Sequence, residues 1–241
     1  MNRAAAVRIF RRATAIVAVT FLVIDGAAHA SSLGTITART MLNTNQVTSV
    51  SAPAVVGCDN FTGTTGATIA GRAATAAAAC ASRVWTAHVG TWTIQTNKAA
   101  SSATASAVVT QNLTTANTTA EAVITSLNTT GRTAGLVLSH DGASTYLAAV
   151  LIAGAPSRAE LRIVAAGAPT VLSTVNTTIA ATNTLRFARS GSSVTVTLNG
   201  TLIITATLAA SDLRTLGTGA RSGLFGGDAN VRFDDFLATT P

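Results

Sequence analysis

The chain repeats one pattern of apolar and polar positions along most of its length. From residue 58 onward, short runs rich in Val, Ile and Thr alternate with Gly, Asn, Asp and Ser. β-branched residues suit the pleated surface of a strand, and the separating residues favour turns. The runs therefore predict about a dozen short strands, at residues 90–95, 104–111, 120–127, 134–140, 145–152, 160–165, 170–175, 184–189, 194–198, 201–205, 222–226 and 230–238.

The clearest hairpin is centred on Asn199-Gly200, between residues 194–198 and 201–205. Asn-Gly takes positive φ readily at both positions, as a two-residue type I′ turn requires. Strict alternation then predicts two sets of side chains, one on each face. The first set is Val194, Val196, Leu198 and Ile203, and the second is Thr195, Thr197, Leu202 and Ile204.

One helical turn is predicted at residues 210–214, with Ser211 as its N-cap. The Ala-rich segment 73–81 has helix propensity but lacks amphipathic spacing, so we expect a loop there. A dozen short strands over about 180 residues, with so little helix, is typical of one architecture. The predicted fold class is all-β, a two-sheet antiparallel β-sandwich or jelly roll.

The N-terminus has the pattern of a signal peptide. Four arginines precede an apolar run at residues 13–24, and Ala28-His29-Ala30 follows as a small-x-small cleavage site. Twelve apolar residues are too few to span a bilayer, which needs about 20. We therefore expect a signal peptide at 1–30, a Thr/Ser-rich extension at 31–57 and one β-sandwich domain at 58–241. The mature protein is then secreted or at the cell surface, without membrane insertion.

Charge is scarce, at 10% of 241 residues, and the formal net charge is +7. Four of the 16 basic residues and one of the nine acidic residues lie in 1–30, so +4 remains. The remaining basic residues are scattered singly. Nucleic-acid binding needs a concentrated positive face, so this class of function is disfavoured.

The two cysteines, Cys58 and Cys80, both lie in the predicted mature chain. An even number of cysteines in an exported protein favours a disulfide. No Cys-x-x-Cys or His-rich spacing accompanies them, which argues against a zinc site.

Five short strings, in order, resemble the concanavalin A-like lectin/glucanase superfamily in its laminin-G-like branch. They are Asp59-Asn60-Phe61, Trp85 with Gly90-Thr91-Trp92, residues 134–148, residues 194–202, and Gly223-Leu-Phe225 with residues 231–236. The resemblance covers residues 58–241. It implies two antiparallel sheets, one of them concave, with the first and last strands adjacent.

The resemblance implies three alternative functions. The first is a non-catalytic domain that binds a polysaccharide or cell-surface glycan, and the second is a structural or adhesive surface protein. The third is a glycoside hydrolase, but that branch carries closely spaced carboxylates on one strand, and no such run exists here. We therefore expect no catalytic residues.

Sugars bind to aromatic faces and to a few polar side chains that fix the hydroxyl groups. Aromatic residues make up only 4% of the chain. Trp92 is expected in the core, which leaves Trp85 and Tyr146 as platforms. A polar rim of His140, Asp141, Tyr146 and Arg132 is predicted beside the Asp141-Gly142 turn.

Some members of the superfamily hold a structural calcium ion where the first and last strands meet. The resemblance implies Asp59 and Asp234 as its ligands, with backbone carbonyls completing the coordination. The alternative is that these two residues cap loops or face solvent.

Overall fold

The computed structural model describes residues 52–75, 83–102 and 106–241. Residues 50–241 form one compact unit. The predicted signal peptide, residues 31–51 of the predicted extension and Cys80 lie outside the described residues. The signal peptide and the Cys58–Cys80 disulfide therefore stay predictions; Cys58 itself is buried.

The described residues form fifteen strands and one short helix, α1 (Ala210–Leu216). Each of the twelve predicted strands overlaps an observed one, and β1 contains Asp59, which the resemblance placed on the first strand, whereas β2 and β4 had no counterpart. The strands are β1 (Val55–Asp59), β2 (Trp85–Val89), β3 (Trp92–Ile94), β4 (Ala99–Ser101), β5 (Ala107–Asn112), β6 (Thr119–Thr125), β7 (Thr133–His140), β8 (Tyr146–Ile152), β9 (Arg158–Ala165), β10 (Ala168–Asn176), β11 (Thr182–Ser190), β12 (Ser193–Leu198), β13 (Thr201–Thr207), β14 (Arg221–Gly226) and β15 (Arg232–Thr239).

The strands pair into two antiparallel sheets, which confirms the predicted sandwich. The eight-stranded sheet runs β13-β12-β11-β6-β15-β4-β3, with β1 also paired to β15. The seven-stranded sheet runs β10-β9-β8-β7-β14-β5-β2. β1 and β15 are antiparallel neighbours, so the first and last strands meet as expected.

The core lies between the two sheets and follows the period of two. Leu185 and Phe187 of β11 face Leu136 and Leu138 of β7 across one continuous cluster of buried residues. Trp92 is fully buried, and its ring centroid lies 5.7 Å from that of Phe233. The expectation that Trp92 is a core residue is therefore confirmed.

The Asn199-Gly200 hairpin forms as predicted, and both residues have positive φ (50° and 82°). The prediction of which side chains share a face was wrong for β13. Val196 pairs with Ile204 and Thr197 pairs with Leu202, so one extra residue bulges out of β13. Because a bulge reverses the alternation beyond it, Ile204 faces the core.

The predicted helical turn is confirmed as α1, but its N-cap was wrong. Ala209 is the N-cap residue, and the Asp212 carboxylate accepts the Ala209 N–H at 3.0 Å. At seven residues, α1 is too short to cross a bilayer, and the described part of the chain has no other helix.

A second apolar cluster lies on the outer face of the seven-stranded sheet. Along β8, Leu147, Ala149 and Leu151 join the main core, whereas Tyr146, Ala148 and Val150 alternate with them on the other face. The outer set is buried as well. A sheet face that turns away from the core and still buries apolar side chains is a place to look for a binding site.

Candidate functional site

A cavity of about 210 Å³ opens on the outer face of the seven-stranded sheet. We call it the sheet pocket. Ala148, Val164 and Phe225 give it an apolar wall, and His140, Tyr146 and Arg162 give it polar groups. Its remaining lining residues are Val89, Ser106, Ala143, Ser144, Gly167 and Pro169.

His140 reaches the pocket because β7 contains a β-bulge. Leu136 and Leu138 face the core, so regular alternation would point His140 inward too. Val137 pairs with Gly223 and His140 pairs with Arg221, which places one extra residue on β7. Ser139, with φ of +54°, occupies this irregular stretch. The bulge re-aims His140 to the outer face.

Three aromatic rings stack in a row near His140, at the C-terminal end of β7. The His140 ring lies 4.0 Å from the His88 ring and 5.2 Å from the Tyr146 ring, with interplanar angles of 29° and 9°. His88 is on β2, at a second irregularity in strand register, and its Nε2 lies 2.8 Å from Thr110 Oγ1. The stack links β2 to β7 across the intervening strands β14 and β5.

The stacked histidines are neutral at neutral pH. Burial, and next the neighbouring His88 ring, lower the pKa of His140 to about 4. Burial, and next the positive charge of Arg221, also lower the pKa of His88. The Gly142 N–H donates to His140 Nδ1 at 2.8 Å, so the single ring proton is on Nε2. That buried N–H has no hydrogen-bond partner among the described residues.

Arg162 is held in place by Glu160, its neighbour on the outer face of β9. Arg162 Nε and Nη2 contact Glu160 Oε2 at 2.8 and 2.7 Å, and Arg158 Nε donates to Glu160 Oε1 at 2.7 Å. Partial burial pushes the pKa of Glu160 upward, but hydrogen bonds from the two arginines outweigh it and hold that pKa below its usual value. The trio carries one net positive charge.

Asp141, Tyr146 and His140, which the sequence placed together, are together in the structure. Asp141 Oδ1 accepts the Ala143 and Thr145 amides at 2.7 and 3.1 Å. Partial burial raises the pKa of Asp141, but these hydrogen bonds outweigh it and leave the pKa below its usual value. Tyr146 is more buried than we expected, at 7% exposure, and burial raises the pKa of its hydroxyl.

Trp85 does not belong to this group, so its expected role as a surface platform needs correction. Its side chain is 1% exposed and packs against Phe61 and Phe236. The indole Nε1 donates to Asp59 Oδ2 at 2.7 Å. Trp85 faces the core because it lies on β2, a strand that the sequence pattern did not reveal.

Arg132 is likewise misplaced in the predicted rim. It precedes β7, whereas His140 ends that eight-residue strand, so about 25 Å separates them. Its Nη1 donates to the Ser126 carbonyl at 2.6 Å, and its Nε lies 3.6 Å from Asp228 Oδ1. Sequence proximity failed here because a strand carries its two ends apart.

The two carboxylates assigned to calcium do not fit a cation. Asp59 accepts the Trp85 indole N–H and the Phe61 amide, and it lies 3.4 Å from Arg72 Nη2. Asp234 Oδ2 lies 2.7 Å from Lys98 Nζ. Donor hydrogens already point at these oxygens, and the described residues hold no group of three or more metal-ligating side chains.

Comparisons with known proteins bear on the fold. No protein-family model and no curated protein sequence matches the chain. Among solved structures, the carbohydrate-binding module CBM66 from Bacillus subtilis is 19% identical and has a TM-score of 0.57. The match covers 65% of this chain and 95% of the module. The fold is a jelly-roll β-sandwich.

Two more solved structures are similar to a lesser degree. The CBM2 module of the evolved Dit protein of Lactobacillus casei BL23 phage J-1 is 10% identical, with a TM-score of 0.50 over 78% of this chain and 95% of the module. The GH43 protein BlXynB from Bacillus licheniformis is 15% identical, with a TM-score of 0.48 over 62% of this chain and 34% of that protein. Two of these three similar structures, CBM66 and the CBM2 module, are modules.

Sequence reasoning missed most of the pocket's lining. One signal was available, because Arg158, Glu160 and Arg162 alternate with apolar residues and so share one face of a strand. Val89 and Phe225 gave no such signal. They come from strands far apart in sequence that the jelly roll brings to one surface.

Proposed function

We propose that this jelly roll is a non-catalytic, saccharide-binding domain of an exported protein, and that the sugar occupies the sheet pocket. The pocket itself is the observation that carries the proposal. It combines an apolar wall (Ala148, Val164 and Phe225) with an aromatic side chain, Tyr146, and fixed polar groups on rigid strands. Sugars present the same combination of C–H faces and hydroxyl groups.

The stack determines how a sugar would make contact. His88 and Tyr146 both pack against the His140 ring, so the faces of that ring are used within the protein. A ligand would therefore meet ring edges and polar hydrogens here. Apolar contact would come instead from the wall of the pocket.

Two features support binding without catalysis. A glycosidase needs a carboxylic acid whose pKa is raised, so that it can protonate the leaving group. Asp141 and Glu160 are the carboxylates nearest the pocket, and their pKa values are lowered. Glu160 is also fully engaged by Arg158 and Arg162.

A structural or adhesive role without a specific ligand is the alternative. The outer face of the eight-stranded sheet, with Thr195, Thr197 and Thr205, fits such a role, because it presents hydroxyl groups without a comparable apolar cluster. The two functions predict different outcomes in one experiment.

That experiment is a glycan-array screen of the protein, followed by calorimetry on any glycan that binds. Ser144→Trp should block the pocket from its partly exposed rim and reduce affinity at least tenfold. Ser193→Trp, on an exposed strand position of the other sheet, is the matched control and should bind like the wild type. Release of reducing ends from the bound glycan would overturn the non-catalytic assignment, and equal binding by both variants would move the ligand elsewhere.

A further inference from the structure

We propose that the sheet pocket selects a single carboxylate-bearing sugar, a uronic acid residue, and that Arg162 binds its carboxylate. This inference rests on the proposed saccharide-binding function and names the ligand class for that site. It follows from the donors that line the pocket, from the way Arg162 is held, and from the pocket's size.

The side chains in the pocket whose hydrogen-bonding direction is fixed are donors. Arg162 can only donate. His140 presents its protonated Nε2, because Nδ1 is occupied as an acceptor by the Gly142 amide. Ser106, Ser144 and the Tyr146 hydroxyl can act in either direction. No Asp or Glu is among the described residues that line the pocket.

Arg162 is oriented before any ligand arrives. The Glu160 carboxylate binds the Nε and Nη2 groups of Arg162, which leaves Nη1 without a hydrogen bond to any other described residue. An arginine whose position is already fixed loses less conformational entropy on binding a carboxylate. Because Arg158 binds the other oxygen of Glu160, the trio keeps a net positive charge that favours an anion.

The unpartnered His140 Nε2–H is a second, independent observation. His140 lines the pocket, and its Nε2 has no hydrogen bond to any other described residue. A buried donor without an acceptor is unfavourable, and an oxygen-rich ligand would remove that cost. The His140 Nε2–H and the Arg162 guanidinium therefore both need a hydrogen-bond acceptor on the ligand.

Size limits the ligand to about one sugar ring. A cavity of about 210 Å³ is below the roughly 300 Å³ at which pockets for drug-sized ligands begin. The pocket therefore suits a terminal residue or a side branch better than several consecutive residues of a chain. Ala148, Val164 and Phe225 would contact the apolar face of the ring.

The test compares sugars that differ only in the carboxylate. Glycans that end in glucuronate or galacturonate, and the same glycans ending in glucose or galactose, are titrated at low ionic strength. We expect the acid-terminated member of each pair to bind at least tenfold more tightly. Arg162→Gln should abolish this preference, and Arg162→Lys should retain part of it.

Arg186→Gln is the matched control, because it removes an equal charge from an exposed strand position of the other sheet and does not line the pocket. It should keep the preference for the acid, and thermal melts of both variants would check folding. Tighter or equal binding of the neutral sugars by the wild type would overturn this inference while leaving the proposed function standing. Binding of neither member of any pair would overturn both.

Discussion

At the scale of single residues, hydrogen bonds fix the ring proton of His140 on Nε2, beside the pocket. The Gly142 amide donates to His140 Nδ1, and Asp141 holds the turn that carries this amide. Burial then keeps the imidazole uncharged down to about pH 4. One turn therefore sets both the tautomer and the charge of the ring beside the pocket.

This neutral histidine predicts a pH dependence of stability. An unfolded histidine has a pKa near 6.5, whereas His140 in the folded protein has one of about 4. Between these values the unfolded chain binds the extra proton, so the free energy of unfolding falls as the pH drops from 6.5 to 4. The loss from His140 alone could reach about 3 kcal/mol.

Denaturant titrations at pH 7 and pH 4.5 would measure it. His140→Gln should flatten the decline between these two values, whatever the variant's stability at pH 7. An unchanged decline in the variant would mean that His140 is exposed or charged in solution. His88 contributes in the same direction, because its pKa is also lowered.

At the scale of elements, β-bulges decide which side chains face the pocket. The bulge on β7 is tied to the other sheet, since Arg189 of β11 donates to Ser139 Oγ across the core. Arg189 is buried, and burial lowers its pKa. A buried guanidinium that bonds a bulge residue is well placed to keep that bulge formed.

We expect Arg189→Met to loosen the bulge and release His140 from the ring stack. The lost hydrogen bond should cost about 1–3 kcal/mol. NMR titration of the His140 ring should show its pKa rising from about 4 towards 6.5. Arg189→Lys should restore part of the shift.

Arg186→Met is the matched control, because Arg186 lies on the same strand and is exposed on the outer face. It should leave the His140 titration unchanged. A pKa still near 4 in Arg189→Met would show that the bulge holds without the arginine.

At the scale of the whole molecule, the two outer faces of the sandwich differ in character. The seven-stranded sheet buries a second apolar cluster and carries the pocket, whereas β12 and β13 of the other sheet present threonine hydroxyls outward. The first and last described strands, β1 and β15, pair within the eight-stranded sheet. The pocket and the pairing of the first and last described strands thus lie on different sheets.

We expect the pairing of β1 with β15 to need no metal ion. Asp59, on β1, accepts a hydrogen bond from Trp85 and pairs with Arg72, and Asp234, on β15, pairs with Lys98. We expect EDTA to leave the melting temperature of the protein unchanged, and added calcium to leave it unchanged as well. A rise of several degrees with calcium would restore the calcium site that the resemblance implied.

Much of the fold followed from local pattern. The twelve predicted strands overlap observed ones, and Asn199-Gly200 forms its turn, because alternation and turn chemistry act over a few residues. β2 and β4 were missed because they are short and lack clear alternation. Of the predicted rim, His140, Asp141 and Tyr146 came together because a tight turn joins β7 to β8.

The sequence by itself determined a charge-poor, threonine-rich chain that folds as an antiparallel sandwich. Only the tertiary structure decided that Trp85 is buried, that Arg132 is remote, and that His88, His140 and Arg162 share the outer face of the seven-stranded sheet. The reason is geometric. Side chains alternate with a period of two, so one bulged residue exchanges the faces, and strands far apart in sequence become neighbours only when the sheet closes.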